Sequence, residues 1–247
     1  MKTVDKAMHL LNRFSIEQTE IGLSELARLA DLDKAATRRL LVALAKHGYI
    51  EQSADTRKYR LGAGFLGLAR IREATVPLAR AAQEACDWLT AVTDETTHVS
   101  VPMADYMSTI AYTLPKRGNI INIIPAQPLP FHATATGYAY LAAATPATLK
   151  HALSIKRSKP TRHTLTSKSD VLRTVRETQA RGHAHCCGLF EDGVSSLAVA
   201  FFAGGTEPAG TVSLAMPDDR LRSADQARLL ADIKAAATRI ENAITGP

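Results

Sequence analysis

Three short amphipathic segments follow one another at the start of the chain, and no other feature constrains its fold as strongly. In the first segment, apolar residues recur at the three- and four-residue steps of a helix with one buried face, namely Val4, Ala7, Met8, Leu11 and Phe14. Ser24 is the expected N-cap of a short second helix over residues 25–30. Asp33 is the expected N-cap of a third helix over residues 34–47, which Gly48 ends. The pattern therefore predicts three helices joined by tight turns.

An α-helix turns by about 100° per residue, and at this spacing the residues of the third helix divide into an apolar and a basic face. Its apolar side carries Ala36, Leu40, Leu41 and Leu44. Its opposite side carries Ala35, Arg38, Arg39, Val42 and Lys46. Two strand-like runs, 49–51 and 58–61, then flank a polar connection, which is typical of a β-hairpin. Together these elements predict a winged helix-turn-helix, in which the third helix enters the major groove of DNA and the hairpin bases reach phosphates or the minor groove.

The charge of the chain is concentrated in this segment. Residues 1–72 hold 13 basic and 8 acidic side chains and so carry nearly all of the net charge of +6. A basic surface of this kind favours a polyanionic partner. The alternative is a small helical module whose basic face is merely solvated and which binds another protein. In that case the chain would be a small-molecule sensor with a protein partner instead of DNA.

The rest of the chain combines strands and helices. A helix over residues 72–92 is expected to link the first domain to the second. The expected strands are 98–103, 108–114, 119–124, 183–187, 195–203 and 210–216. The expected helices are 134–144, 171–180 and 223–245. This pattern predicts the α+β class with a mainly antiparallel sheet, and domains over residues 1–72, 73–92 and 93–247.

Seven short stretches, in order along the chain, match the pattern of a known family. They are residues 23–27, 34–41, 48–49, 59–62, 129–135, 191–194 and 217–221. On these stretches the chain resembles the IclR family of bacterial transcription regulators. The resemblance implies a winged-helix DNA-binding domain, a linker helix and a C-terminal effector-binding domain of the GAF/PAS-like type. It also implies homodimers, often paired into tetramers, on palindromic double-stranded operator DNA.

The resemblance and the charge pattern together assign a DNA-binding surface. Its expected members are Ser24, Lys34, Ala35, Arg38 and Arg39 on the helices and Arg57, Lys58 and Arg60 on the hairpin. Lys and Arg side chains suit phosphates and guanine edges, and the wing contacts would be salt-sensitive. The family commonly has small hydroxyl residues where Ala35 and Ala36 stand, so the family's target sequence does not transfer to this chain.

The resemblance also places an effector site at the start of the helix over residues 134–144. The N–H groups at the start of a helix favour an anion, and Ala135, Thr136 and Gly137 stand where the family contacts its ligand through the main chain. The alternative is a capped, tightly packed helix start without a ligand.

Two departures from the family pattern affect the expected ligand. Cys186 and Ser196 stand where the family often has an Asp and a Cys. Because a charged acceptor is lost, we expect a less hydroxylated ligand, namely a small aromatic or aliphatic organic acid from catabolism. Met103 and Tyr106 are further candidates for the pocket lining, with an ordinary core position as the alternative. The expected function is ligand-responsive control of catabolic genes, with repression as the favoured sign.

Catalysis is not expected, because no nucleophile–base pair or metal constellation stands out. His183, His185 and Cys187 alternate onto one face of a strand, but no second cluster completes a metal site, so a metal there stays an open alternative. No cofactor is expected. The chain has three cysteines and no apolar stretch near the roughly 20 residues of a membrane helix. These features favour a reducing cytoplasm and exclude a membrane span.

Overall fold

The structure, a computed structural model, describes residues 2–246 and divides into two compact units, of which the first ends at Val76 and the second begins at Pro77. The elements of the first unit are α1 (Thr3–Leu11), α2 (Leu23–Leu29), α3 (Lys34–Lys46), β1 (Ile50–Gln52), β2 (Tyr59–Leu61) and α4 (Gly64–Thr75). Fully buried apolar side chains from α1, α2, α3 and β1 form its core: Leu10, Leu26, Leu41 and Ile50. The predicted winged helix-turn-helix is confirmed, and α4 is a further helix that the periodicity did not predict.

The ends of α3 follow from two predicted residues. The Asp33 carboxylate accepts a hydrogen bond from the Ala36 N–H at 2.7 Å, and Gly48 has a φ of +74° just beyond the helix. The predicted cap of α2 is wrong. Gly22 occupies the N-cap position, because Ile21 pairs with Tyr59 as an isolated bridge and keeps the chain extended up to that point. Ser24 therefore lies inside the first turn of α2, where it is exposed.

The single linker helix predicted over residues 72–92 is wrong, because the structure has two helices there. Helix α4 ends at Thr75 and α5 (Leu78–Thr93) starts after Pro77. Proline has no N–H and disfavours the helical conformation of the residue before it, and Val76 is accordingly extended, with φ −142° and ψ 98°. Helix α5 packs into the core of the second unit through Ala82, Cys86 and Leu89, so it is part of that unit's core.

The second unit contains α5 and eleven further elements. Its strands are β3 (Thr96–Pro102), β4 (Tyr106–Thr113), β5 (Leu129–Pro130), β6 (Ala184–Cys187), β7 (Val194–Phe202) and β8 (Pro208–Pro217). Its other helices are α6 (Ala135–Ala143), α7 (Pro146–Ala152), α8 (Lys168–Arg181), α9 (Asp218–Ser223) and α10 (Gln226–Thr245). The strands form one antiparallel sheet in the order β5-β4-β3-β8-β7-β6, which confirms the predicted α+β class.

The two faces of this sheet differ in polarity, because alternate residues of a strand point to opposite sides. One face packs on α5 and α10 through apolar side chains such as Val99, Leu197, Val212 and Leu214. The other face carries small polar side chains and one histidine, namely His98, Ser100, Ser196, Thr211 and Ser213. Helix α6 covers this second face, so polar side chains that alternation alone would assign to solvent are enclosed.

The predicted strand over residues 119–124 is wrong. This segment has no regular structure, and Asn119 has a φ of +56°. The β4 edge of the sheet pairs instead with the two-residue strand β5, through Tyr106–Pro130 and Met107–Leu129. The apolar residues of the segment therefore serve another purpose, which is to cover a cavity.

Candidate functional site

The exposed face of α3 is basic, as predicted. Lys34, Ala35, Arg38 and Arg39 are exposed, whereas Thr37 and Leu41 are fully buried against the rest of the first unit. The Thr37 hydroxyl donates a hydrogen bond to the Asp33 carbonyl at 2.9 Å, so this polar side chain is satisfied inside the helix packing. The outward face of α3 thus carries three long cationic side chains and the small side chain of Ala35.

The hairpin contributes three more cations, but they are not equivalent. Arg57 and Lys58 are exposed in the turn between β1 and β2. The Arg60 guanidinium donates to one Glu51 carboxylate oxygen through both Nε and Nη2 at 3.1 Å, and its Nη1 lies 3.9 Å from Glu20. Two carboxylates therefore already offset the charge of Arg60, which sequence reasoning did not reveal because Glu51 lies nine residues away on the partner strand.

A cavity lies between the polar face of the sheet and α6. The centre of a water molecule can reach about 90 Å³ of it, which is room for several waters or a small organic ligand. Strand residues His98, Thr109, Ser196, Ser213 and Ala215 form its floor, and the segment 121–124 covers it. Most of the remaining lining comes from the start of α6 and from residues 186–194.

The N-terminus of α6 lines the cavity. The Thr134 hydroxyl accepts a hydrogen bond from the Gly137 N–H at 3.0 Å, so the cap is in place. The N–H groups of Ala135 and Thr136 belong to the first turn and have no acceptor within the helix. An anion in the cavity would therefore meet backbone donors at the positive end of a helix dipole.

The structure brings four of the seven predicted effector residues together, because Ala135, Thr136, Cys186 and Ser196 all line the cavity. Gly137 is outside the lining. Its role is packing, since a Cβ at this position would overlap the carbonyl group of Phe131.

Met103 and Tyr106 do not line this cavity either. They flank the turn between β3 and β4, whereas the cavity floor is made by residues farther along these strands, such as His98 and Thr109. Strand alternation predicts which face a residue points to, but not where along the strand a cavity lies.

His98 is the functional candidate that sequence reasoning missed. Its side chain lines the cavity, is only 7% exposed, and its Nδ1 atom is buried without a hydrogen-bond partner. Burial lowers the pKa of His98 to about 4, so the imidazole is neutral at pH 7. The available signal was a histidine on the polar side of an otherwise alternating strand, with Val99 next to it on the apolar side.

Ion pairs fix the start of the segment that covers the cavity. Glu95 is 5% exposed and accepts from Arg117 at 2.6 Å and from Arg220 at 2.7 Å. The Arg220 guanidinium also donates to the Asn119 carbonyl at 2.5 Å, and the Thr96 hydroxyl donates to the Ile121 carbonyl at 2.7 Å. These bonds hold the covering segment to the end of the sheet.

In the part of the chain that the structure describes, His183, His185 and Cys187 are not placed as a metal site. Within residues 2–246, no group of three or more His, Cys, Asp or Glu side chains is placed to hold a metal ion. Cys186 is buried and points to the cavity side, whereas Cys187 is exposed. Between residues 2 and 246, none of the helices combines the length and the apolar character that a membrane span requires.

An exposed basic α3 in one unit and a cavity under α6 in the other are typical of one class of protein, the transcription regulators that combine a DNA-binding domain with an effector domain. Family profiles agree with this class. The helix-turn-helix domain of IclR matches residues 3–54, and the C-terminal domain of the bacterial transcriptional regulator IclR matches residues 74–242. The chain belongs to the IclR family of bacterial transcription regulators, which bind DNA through the first domain.

Individual relatives span the whole chain. The HTH-type transcriptional regulator XynR of Escherichia coli K12 is 26% identical over 100% of this chain and 98% of its own length. A solved structure of a putative IclR transcriptional regulator from Silicibacter sp. TM1040 is 33% identical, with a TM-score of 0.93 over 100% of this chain and 97% of its own. An IclR homologue from Microbacterium hydrocarbonoxydans, solved in complex with 4-hydroxybenzoate, shares the fold at 20% identity, with a TM-score of 0.76 over 98% and 99%.

Proposed function

We propose that this regulator controls catabolic genes as a homodimer or a dimer of dimers, and that a small aromatic or aliphatic organic acid bound in the cavity changes its affinity for the operator. The observation that carries the proposal is the cavity itself, in which a capped helix N-terminus faces an enclosed polar sheet face. Hydroxyl groups and backbone N–H groups suit a carboxylate, and the apolar cover, which includes Ile121, Ile123 and Ile124, suits an aromatic or aliphatic body. The homologue solved with 4-hydroxybenzoate supports this ligand class.

On DNA, α3 would lie in the major groove, with Arg38 and Arg39 directed at bases or phosphates. Arg57 and Lys58 on the wing would contact the phosphate backbone, and Lys34 and Ala35 would lie at the groove edge. Ser24, on the exposed first turn of α2, would lie near the backbone as well. Repression is the expected sign, since a dimer bound across a promoter blocks it without a further contact to the polymerase.

Exposed apolar side chains support the dimer. Helix α4 has no buried residue, and its Leu66 and Ile71 are 67% and 64% exposed. Val4 on α1 is 71% exposed. Large apolar side chains exposed together on a unit favour a protein–protein contact, and we assign it to a second copy of this chain. Light scattering after size exclusion tests this, and the expected result is a dimer or tetramer that Leu66→Glu/Ile71→Glu dissociates.

The main test measures binding of the purified protein to its own upstream intergenic DNA across a salt series, with and without benzoate, 4-hydroxybenzoate and hexanoate. Tight, salt-dependent binding that an acid changes several-fold is expected, which corresponds to a coupling of roughly 1–3 kcal/mol. Ser196→Leu, which fills the cavity, should keep DNA binding and lose the response to the acid. Binding no tighter than to random DNA under every condition would contradict the proposal.

One variant distinguishes operator DNA from the alternative partner, which is a protein bound by the basic first unit. Arg38→Ala/Arg39→Ala should abolish specific DNA binding while the chain stays folded. If this variant binds the operator like the wild type, the basic face of α3 serves a different partner. A location in the cytoplasm, expected from the three cysteines, follows from the proposal because the operator DNA is there.

A further inference from the structure

One side chain that lines the cavity carries a buried polar atom without a partner. His98 lies in the middle of β3, opposite Tyr112 on β4 and Ser213 on β8, and its side chain faces the cavity. Its Nδ1 atom makes no hydrogen bond in the structure. A buried nitrogen without a partner costs free energy, so sites of this kind usually serve a ligand or a bound water. The imidazole is therefore placed to bind whatever occupies the cavity.

The charges around His98 make it the group that decides which ligands bind. The described residues that line the cavity include no Lys or Arg, and its titratable groups are His98, Cys186 from β6 and Glu191 from the turn before β7. Burial raises the pKa of Cys186 to about 12, so the thiol is neutral. From α6 and β8 only neutral groups face the cavity, and Tyr112 is the titratable residue opposite His98 on β4.

The buried Glu95 with Arg117 and Arg220 lies at the start of β3 and does not line the cavity. Helix α5 packs on the opposite face of the sheet. An incoming carboxylate thus meets the N–H groups of α6 but no fixed positive charge. His98 is the lining side chain that can supply one, by taking up a proton.

We propose that the effector binds as a monocarboxylate, that His98 donates a hydrogen bond to this carboxylate, and that the imidazole takes up one proton from solvent when the ligand enters. The inference rests on the proposed function and specifies the ligand class of the same cavity. The proton adds to the imidazole nitrogen that carries none in the free protein, and the positive charge of the imidazolium balances the charge of the bound ligand. No bond of the ligand is broken.

Proton uptake links binding to pH. In the free protein, burial holds the pKa of His98 near 4, and a carboxylate partner in the same cavity raises it. Between these two pKa values, the complex binds one proton more than the free protein, so each pH unit upward weakens binding by up to about tenfold. At pH values above the pKa that His98 has in the complex, its imidazole is neutral with and without the ligand, so the affinity no longer depends on pH. The effector therefore binds more tightly at pH 6 than at pH 8.

The test is isothermal titration of the full-length wild-type protein with benzoate, 4-hydroxybenzoate and hexanoate at pH 6.5, in two buffers that differ in ionisation enthalpy. The acids are ionised at this pH, so a difference in observed enthalpy reports protons taken up by the protein. We expect close to one proton per site. The neutral analogue 4-hydroxybenzamide should bind at least tenfold more weakly than 4-hydroxybenzoate and without proton uptake.

His98→Gln should remove the proton uptake and weaken binding at least tenfold. His151→Gln is the matched control, because His151 is exposed on α7, where it contacts Asp105 at 3.2 Å, and does not line this cavity. This control should keep both the affinity and the proton count. Thermal unfolding shows whether His98→Gln is folded, and a wild-type proton count of zero would overturn the role of His98 even if this variant is not folded.

The outcomes separate this inference from the proposed function. If an acid binds the wild type without proton uptake, or binds His98→Gln with unchanged affinity, the role of His98 is overturned and the proposed ligand class stands. If the amide binds as well as the acid, the charge balance is overturned. If none of the three acids binds, the proposed ligand class is overturned and this inference with it.

Discussion

Two arginines on the same hairpin should differ in their effect on DNA binding. Arg57 is exposed in the turn, and within residues 2–246 no carboxylate lies within ion-pair distance of its guanidinium. Arg60 donates twice to Glu51 at 3.1 Å and lies 3.9 Å from Glu20. Only Arg57 therefore has its full charge available to a DNA phosphate. We therefore expect Arg57→Gln to weaken DNA binding more than Arg60→Gln.

The size of the difference follows from counterion release. Each phosphate contact contributes about −0.9 to the slope of log K against log salt concentration. A dimer on a palindromic operator presents two wings, so Arg57→Gln should reduce the magnitude of the slope by roughly 1.8. Between 50 and 200 mM salt, this amounts to roughly a twelvefold smaller loss of affinity than in the wild type. Arg60→Gln should change the slope by less than half as much.

Fluorescence anisotropy with a labelled operator duplex at four salt concentrations measures these slopes. Arg176→Gln is the matched control, because Arg176 is exposed on α8 in the second unit; its slope should equal that of the wild type. Circular dichroism confirms that all variants are folded. An unchanged slope for Arg57→Gln, or an equal change for Arg60→Gln, would refute the view that internal ion pairing decides which wing residue contacts DNA.

Three further predictions concern packing and reactivity. Leu41→Ala should destabilise the first unit by about 2–5 kcal/mol, because this side chain is fully buried, and chemical denaturation measures the loss. Gly137→Ala should lower the free energy of unfolding by about 1–3 kcal/mol or more, since the added methyl group would overlap a backbone carbonyl. Iodoacetamide at pH 8 should modify the exposed Cys187 and spare Cys86 and Cys186, because burial raises the pKa of each of these two thiols to about 12.

Each of these predictions has a control or an opposing outcome. Val42→Ala, on the exposed face of α3, should change the stability by less than about 0.5 kcal/mol, and an effect equal to that of Leu41→Ala would contradict the assigned packing. Wild-type stability of Gly137→Ala would show that α6 does not approach the Phe131 turn so closely. Equal labelling of all three cysteines in peptide mass spectra would contradict their different burial.

The DNA-binding unit could be predicted nearly element by element. Helix α3 begins after Asp33 and ends before Gly48 as expected, because capping and left-handed turns depend on residues that are neighbours in sequence. The predictions failed where distant parts of the chain decide. Ser24 is not the N-cap of α2, since the bridge from Ile21 to Tyr59 sets where that helix begins.

The effector site could be predicted only in part. The family resemblance predicts the start of α6 together with Cys186 and Ser196 as parts of the effector site, and all of them line the cavity. The sequence does not identify His98 as a site residue, and its apolar pattern wrongly predicts a strand over 119–124. Both errors have the same cause, because a run of apolar or alternating residues does not reveal whether its neighbour is a strand, a helix or a cavity.

The sequence by itself determined the class of the chain. Helix periodicity, the two residues that cap α3, a hairpin and the placement of 13 bases in the first 72 residues are local features, and they suffice for a winged helix with a basic face. Only the tertiary structure decided which of these bases stay free, because the partner of Arg60 comes from another strand. It also decided that a polar sheet face is enclosed under α6 and leaves His98 without a partner. Burial and pairing depend on segments far apart in sequence, and no local pattern records them.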